Sequence, residues 1–465
     1  MKKIFILAFC FTLPLVSCKK WLDQPPTGNL REDLFNTAGD AQETLNSCYD
    51  ALANLYDGRI QNISELLSDN LNQPNTNNDL RSVFARQTTF FNGTTNKVYQ
   101  DLFTVVWRCN TLLDNIDIIP NFEPGEKERL IAEARFLRGF CHWAAVKLWA
   151  QPYGWTPGNT HAGVPIRNRA AADPLLRSTV QEVYDFVQED LEFAYNNLPE
   201  TNGVYASKMA AAGVLATFHL LKQDWSKAVQ YSTDVINSGY YQFDGSSLER
   251  YPAVVLDTNT TSEFVFGTVS TIYTLSGSLV QDRRCGSFVG NYQINNGIAE
   301  LMVSQSFLNY INENPADRRT EAWLAQESGR VFLKKFYTNQ IYSVPIVHLT
   351  ELYLTRAEAI AEGGGDLSQA RSDINMILNR AFEPGTNEIP SGATAEEIIA
   401  EARRQYRIEM VGEGKYTEQL RRYGVMGENI IIRNAPYDCP GMAIQFPNAE
   451  STVIGFELNP EGGCN

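Results

Sequence analysis

Residues 126–149, EKERLIAEARFLRGFCHWAAVKLW, constrain this chain more than any other stretch. Apolar side chains fall on nearly every face of a helix drawn through them, and a helix that is apolar all round has to be buried all round. The sequence therefore predicts a buried helix over 126–149. One polar set interrupts it. Arg135, Arg138 and His142 recur at i, i+3 and i+7 on one face, with Glu133 just before them. Buried charge needs a partner. The expected reading is that carboxylates of neighbouring helices hold this set, with Glu358 and Glu409 as candidates; the alternative is a charged ligand site.

Further helices are predicted over 41–56, over 98–119 with Pro120 as the stop, and over 179–198 between Asp173-Pro174 and Pro199. Two helical pairs follow. The first is 209–221 and 226–236, split by Gln223-Asp224-Trp225; the second is 348–361 and 367–378, split by Gly363-Gly364-Gly365. A shift of 142 residues superimposes Asp224 on Asp366, Ser226 on Ser368, Ala228 on Ala370 and Val235 on Ile377. Small residues, Ala216 and Ala359, sit on the first helix of each pair, where they let helices approach closely. This pattern resembles tetratricopeptide repeats. Between the pairs the composition changes. Phe264-Val265-Phe266 and Val331-Phe332-Leu333 have strand character, and the rest is rich in Ser, Gly, Asn, Thr and Tyr. A loop-rich insert of about 100 residues exceeds an ordinary connection, and long loops often carry function. The expected fold is all-α in the main, a single helical scaffold over about 40–240 and 346–425. The insert occupies about 243–345 with few short strands, and residues 426–465 form a C-terminal tail.

Of the 465 residues, 54 are Asp or Glu against 39 Lys or Arg, a net charge of −15. That balance argues against nucleic acid as the main partner, because neutralising phosphates needs clustered cations. The chain starts with Lys2-Lys3 and a 13-residue apolar run from Ile4 to Val16, too short to span a bilayer. Residues 1–17 fit a secretory signal peptide. The run ends Leu15-Val16-Ser17-Cys18, which looks like a bacterial lipobox with Cys18 as the lipid attachment point. The alternatives are an ordinary signal with a nearby Cys, or a short membrane anchor.

The remaining cysteines are 48, 109, 141, 285, 439 and 464, with no Cys-x-x-Cys, and the chain has four His; no metal or other cofactor is expected. Cys109 and Cys141 lie in apolar helical runs and read as buried thiols. Cys439 and Cys464 flank the Pro- and Gly-containing tail and are candidates for a disulfide. His-Glu-x-x-His, Gly-x-Ser-x-Gly and a complete phosphate loop are all missing from the sequence. Gly412-Glu413-Gly414-Lys415 is a fragment of the last, without its upstream Gly or the hydroxyl after Lys. Paired carboxylates such as Glu189-Asp190 and Glu396-Glu397 read as solvated helix faces rather than a glycosidase pair. The chain is not expected to be an enzyme.

Several segments belong together as one set: Cys18 with Trp21-Leu22-Asp23; Ala132-Glu133-Ala134-Arg135-Phe136-Leu137-Arg138-Gly139-Phe140; Pro152-Tyr153-Gly154 leading to Val164-Pro165-Ile166; and Asp317-Arg318-Arg319 with Lys335-Phe336. To these are added Glu351-Leu352-Tyr353-Leu354 with Arg356-Ala357-Glu358-Ala359, and Arg403-Arg404 through Glu409, Glu413-Gly414 and Leu420-Arg421-Arg422-Tyr423-Gly424. The set resembles the SusD/RagB family of outer-membrane lipoproteins, and its most specific match is the stretch Glu351–Ala359. Tyr416 stands where the family pattern has Arg, and Gln419 where it has Asp, which predicts a weaker ion pair at that turn. The resemblance implies a helical scaffold with tetratricopeptide-like pairs and a loop-rich ligand face. It also implies a non-enzymatic, lipid-anchored protein of the outer membrane, facing the cell exterior. Such a protein captures a glycan, or in RagB-like members a peptide, for a SusC-like TonB-dependent transporter. A secreted glycoside hydrolase on a helical scaffold and a purely structural transporter subunit are the competing classes.

Glycan sites set a flat aromatic beside amide, carboxylate and guanidinium groups. Of the seven Trp, Trp107, Trp143, Trp149 and Trp225 read as core, and Trp155 as part of a structural turn. Trp323 and Tyr292 lie in the insert. Asp69, Asn72, Asn77, Arg81 and Phe91 lie in a polar early loop. In the family the early loop and the insert both contribute to the ligand face. The expectation is that Trp323 or Tyr292 stacks on a sugar while Asp69 and Arg81 bind its hydroxyls.

Overall fold

A computed structural model describes residues 35–56, 58–73, 77–246, 248, 263–268, 272–275, 278–281, 301–335 and 344–464. The signal segment, Cys18, Lys19-Lys20, Trp21, Cys285 and Tyr292 lie outside these residues.

The helix over Glu126–Trp149 (α5) is the axis of the scaffold, buried along nearly its whole length from Leu130 onward. Three helices surround it: α1 (Ala38–Leu55), α4 (Gly93–Asn115) and α6 (Val180–Asn197). Each is started by a side-chain cap. Thr37 and Thr179 form capping boxes with Asp40 and Glu182, and Asn92 accepts the Thr95 N–H; such caps contribute about 1 kcal/mol each. The caps explain why α1 and α4 begin earlier than apolar spacing alone predicts. α5 and α6 meet closely at Gly139, where a Cβ would lie 2.8 Å from the Cβ of Asp190.

The two helical pairs are α7 (Lys208–Leu221) with α8 (Trp225–Ile236), and α11 (Leu349–Glu362) with α12 (Leu367–Ala381). Asp224 and Asp366 are the N-caps of the second helix in each pair, Ala228 and Ala370 are fully buried, and so are Val235 and Ile377. The repeat thus records equivalent cap and core positions. α8 lies against α11, so the pairs stack on one another as tetratricopeptide-like units do.

Four further helices complete the scaffold: α2 (Arg59–Leu67), α3 (Asn78–Phe84), α13 (Ala395–Glu409) and α14 (Tyr416–Val425). Periodicity hides α2, because it buries Gln61, Asn62, Ser64 and Glu65 as well as its apolar residues.

The insert carries two short helices, α9 (Gln305–Ile311) and α10 (Arg318–Trp323), besides short strands. β1 (Leu71–Asn72) pairs antiparallel with β5 (Met302–Val303), and β2 (Phe264–Thr268) with β8 (Val344–His348). β3 (Ile272–Leu275) and β4 (Ser278–Gln281) form one hairpin, β6 (Leu324–Glu327) and β7 (Arg330–Leu333) another. Both segments expected as strands are therefore strands. In the tail, β9 (Ile431–Ile432) and β10 (Ala435–Pro436) turn through Arg433 and Asn434, both at positive φ. The chain then passes through α15 (Asn448–Ser451) and closes over the end of α5. The Ile444 N–H donates to the Leu148 carbonyl, and the Trp149 indole donates to the Gln445 carbonyl. A disulfide joins Cys439 and Cys464, while Cys48, Cys109 and Cys141 are buried free thiols. Among the described residues no helix is long and apolar enough to cross a membrane.

Candidate functional site

The early loop and the insert meet at Asp69 and Asn70, just after α2. The Ser304 N–H donates to the Asn70 carbonyl at 2.9 Å and the Ser304 hydroxyl to the Asp69 carbonyl, extending the β1–β5 pairing. Ser306 donates to Asp69 Oδ2 at 2.7 Å. From α13, Arg407 donates through Nη2 to Asp69 Oδ1 at 3.0 Å and through Nε to Asn70 Oδ1 at 2.9 Å. Its guanidinium lies over the rings of Tyr310 and Tyr416, 4.3 and 5.2 Å from their centroids. The Asp69 side chain keeps 27% of its surface, so a fixed carboxylate edge, flanked by hydroxyls and a guanidinium, opens to solvent. Such an edge accepts hydrogen bonds from ligand hydroxyls.

The other early-loop residues lie on adjoining elements. Asn72 is half-buried in β1 opposite Met302. Asn77 is the N-cap of α3, accepting from the N–H groups of Asp79 and Leu80 at 3.0 and 3.2 Å, so its amide oxygen is committed to the fold. Arg81 is exposed on α3. Phe91 is 74% exposed and tilted against Phe90, with ring centroids 4.3 Å apart. Asn92, next in sequence, donates to the Asp79 carbonyl and the Ser82 hydroxyl, which clamps the Phe90–Phe91 turn to α3. Arg433 bridges the Ser68 carbonyl, beside Asp69, to the Phe84 carbonyl at the end of α3. One continuous region thus holds Asp69, Asn72, Asn77, Arg81 and Phe91.

Trp323 does not belong to it. The ring is 2% exposed, its indole N–H donates to the Leu248 carbonyl at 3.1 Å, and Lys335 sits 4.9 Å over its face. Both its edge and its face are used in packing, which corrects the expectation of a sugar-stacking platform. Conversely, Trp107 and Trp155, read as structural, are 44% and 41% exposed.

Many of the charged residues in the resembling segments turn out to be internal cross-links, some joining the insert to the scaffold and others joining scaffold helices to one another. Arg319 is fully buried, bound to Asp317 and, at 2.7 Å, to Glu409; Arg380 binds Glu263 at 2.5 Å and reaches Glu409. Lys335 binds Glu413 at 2.7 Å, and Glu413 also accepts from His348 at 2.8 Å. Burial opposes ionisation of Glu413, but Lys335 and His348 hold its carboxyl well below the usual range. Glu358 binds both Arg403 and Arg422. Gln419, in place of the family's Asp, accepts from Arg422 Nε at 3.0 Å, so that turn keeps its cross-link through an amide.

The partners expected for the central helix are also different. Arg135 and Arg138 share Asp190 of α6, not Glu358 or Glu409. Asp190 is fully buried while its neighbour Glu189 is exposed, so the reading of Glu189-Asp190 as a solvated pair holds only for the first. Burial pushes His142 down to about 4; the neutral ring bonds to the Arg138 carbonyl and to the Arg167 N–H. The Gly412–Gly414 turn does cradle a carboxyl group, but one of the chain's own, because both glycine N–H groups donate to Glu65 Oε1. Among the described residues no group of three or more His, Cys, Asp or Glu could hold a metal ion.

Residues 20–220 match a family model described as starch-binding and associating with the outer membrane, and residues 286–451 match the SusD family model. A SusD-like protein of Formosa agariphila is 24% identical over 255 residues, 52% of this chain and 46% of that protein. The starch-binding protein SusD of Bacteroides thetaiotaomicron is 37% identical over 86 residues, 18% of this chain and 14% of that one. The aligned region spans about half the length, or less, of the curated relatives it matches. Among solved structures, a SusD superfamily protein from Bacteroides thetaiotaomicron superimposes with a TM-score of 0.78 at 22% identity, covering 91% of this chain and all of that one. A SusD-like carbohydrate-binding protein from Bacteroides vulgatus gives 0.68 at 20% identity, over 84% of each chain. The two family models take in the helices around α5 and the second half of the chain with its cross-links, and the chain belongs to the SusD/RagB family.

Proposed function

We propose that this chain is a lipid-anchored carbohydrate-binding protein of the outer membrane that captures a glycan and passes it to a SusC-like TonB-dependent transporter. The observation that carries the reading is the pair of family matches, one of them to a family described as starch-binding and associating with the outer membrane. Two features support it. Buried ion pairs fix the insert on the scaffold, and the partly exposed Asp69 carboxylate and the exposed Phe91 ring lie on the early segments that meet the insert. Hydroxyl-bonding groups beside an aromatic face suit a sugar. In this reading Asp69 and Arg81 take ligand hydroxyls, and no residue is assigned to catalysis.

A panel of immobilised glycans and peptides, probed with the full chain and followed by a reducing-sugar assay, tests the proposal. Saturable binding to a glycan without new reducing ends is the expected result. Binding to peptides alone would move the protein to the RagB-like class, and release of reducing sugar would replace binding with hydrolysis. Recovery of a TonB-dependent transporter with the tagged protein from outer membranes tests the partner.

A further inference from the structure

The loop after α5 holds a second aromatic surface, separate from the early-loop region. Trp155 stands at its tip with 41% of its surface exposed. Unlike most exposed tryptophans it is held from several sides. Its indole N–H donates to Asp438 Oδ2 at 3.1 Å. Its backbone N–H closes a turn onto the Pro152 carbonyl, and the edge of His161 meets the ring at 5.1 Å and 80°. His161 is itself fixed between Thr156 Oγ1 at 2.8 Å and the Gln151 carbonyl at 3.1 Å. Gln151 Nε2 donates to the Asp438 carbonyl, and Asp438 precedes the disulfide-bonded Cys439.

Two glycines bring this loop and the tail onto one support, the C-terminal end of α14. A Cβ on Gly154 would lie 2.5 Å from Val425, and one on Gly424 would lie 2.2 Å from the Tyr437 ring. Trp155 and the partly exposed Tyr437 therefore flank the same helix end, with Asp438 beside both. Asp438 Oδ2 receives the indole, whereas Oδ1 has no hydrogen-bond partner among the described residues.

We infer that Trp155, Tyr437 and Asp438 form an auxiliary subsite for a glucose-configured oligosaccharide, a pyranose ring lying on the indole while Asp438 Oδ1 accepts one of its hydroxyls. Glucose rings carry their hydroxyls equatorially, so each face presents axial C–H groups that fit a flat aromatic. A platform already ordered loses little side-chain freedom on binding, which favours even a small contact area. The inference rests on the reading of this chain as a carbohydrate binder, and adds a second contact point for a long chain held at the early-loop face. Two contacts on one polymer raise its overall affinity by effective concentration.

The test is fluorine NMR on the full chain labelled with 5-fluorotryptophan, with Trp155→Phe assigning the resonance among the seven tryptophans. Maltohexaose and cellohexaose are the probes, titrated to about 10 mM, a range suited to single-ring contacts of millimolar affinity. The Trp155 resonance is expected to move saturably with at least one of them. Asp438→Asn should raise the midpoint at least about threefold, since it removes the anionic acceptor. Sorbitol, which has the hydroxyls without a ring face, should leave the signal in place. A resonance static against both hexasaccharides, or moved equally by sorbitol, overturns the subsite. Because the glycan panel reads binding anywhere on the protein, glycan binding with a static Trp155 signal sinks this inference alone. Failure of both experiments sinks the carbohydrate reading with it.

Discussion

Replacing Glu65 by Gln should change how the stability of this protein depends on pH. Glu65 is fully buried on α2, with Oε1 accepting the N–H groups of Gly412 and Gly414 at 3.1 and 2.9 Å and Oε2 without a partner. Burial pushes its carboxyl from about 4.5 up to about 8, against the pull of the two N–H groups and Lys335. Between those values the folded protein binds one proton that the unfolded chain has lost. The stability carried by the protonated acid is therefore complete below pH 4.5 and falls as pH rises, by ~1.4 kcal/mol per unit, until the folded group itself ionises near 8. Across the window the loss approaches ~4–5 kcal/mol, a large share of the 5–15 kcal/mol typical of domains. Gln keeps an oxygen for both glycine N–H groups and has no proton to lose. Urea unfolding of parent and variant at steps between pH 5 and 8 should show the variant gaining on the parent by ~1.4 kcal/mol per unit. Parallel curves would mean that Glu65 is ionised in the folded state and that the glycine turn alone sustains its charge.

Three further outcomes follow from particular residues. If Cys18 carries the proposed lipid anchor, Cys18→Ala should leave a protein that no longer sediments with outer membranes lacking the proposed transporter, because it loses acyl burial of ~0.8 kcal/mol per CH₂; sedimentation after signal cleavage would refute the lipobox. Thiol labelling of denatured, unreduced protein should miss Cys439 and Cys464 and mark Cys48, Cys109 and Cys141; the bridge closes a loop of 25 positions and contributes about 3 kcal/mol. Trp323→Ala should lower stability by ~3–5 kcal/mol, as expected for a buried aromatic, and a variant with parental melting temperature but weakened glycan binding would return Trp323 to the ligand face.

The scaffold was legible because its elements are written in periodic apolar positions and caps. Predicted and observed bounds agree at Glu126–Trp149, and Asp224 and Asp366 marked both second helices of the repeat. α2 escaped because half its buried residues are polar, and their burial depends on partners such as Gly412, Gly414 and Thr417, more than 340 residues away in sequence. The meeting of early loop and insert was expected from the family, and Asp69 does meet Ser304 and Ser306. Which aromatic faces outward was not legible. Trp323 and Trp155 have similar loop contexts in sequence, yet Lys335 and the Leu248 carbonyl cover the first, while the second, held by Asp438 and His161, keeps 41% of its surface exposed. Sequence spacing fixes which side of a helix a residue takes, but it carries no such rule for a loop whose neighbours come from distant segments.

The same distinction governs the polar set inside α5, where the sequence demanded a carboxylate and suggested Glu358 or Glu409, neither of which is the partner. Asp190 is that group, and it serves two guanidiniums at once. Oδ1 accepts from Arg135 Nε at 2.7 Å and Arg138 Nη2 at 2.8 Å, and Oδ2 accepts from Arg138 Nε at 2.8 Å. The two arginines are not equivalent. Arg135 has a second, exposed carboxylate in Glu189 and lies over the Phe193 ring at 4.2 Å, near the surface. Arg138 is deeper, and among the described residues its side-chain hydrogen bonds besides those to Asp190 go to the neutral oxygens of Asn110 and Asn168. Asp190→Ala therefore strands Arg138 in the interior and should cost ~3–5 kcal/mol, the range for breaking a buried pair from one side. Arg135→Ala leaves Asp190 bound to Arg138 through two bonds and should cost only ~1–2 kcal/mol, nearer to a partly exposed charged hydrogen bond. Neither change should alter the glycan preference of the protein that remains folded. Equal losses from the two variants would show that Arg135, not Arg138, carries the charge balance of the central helix. A fully stable Arg135→Ala protein that has lost its ligand would place this face of α5 in the binding site.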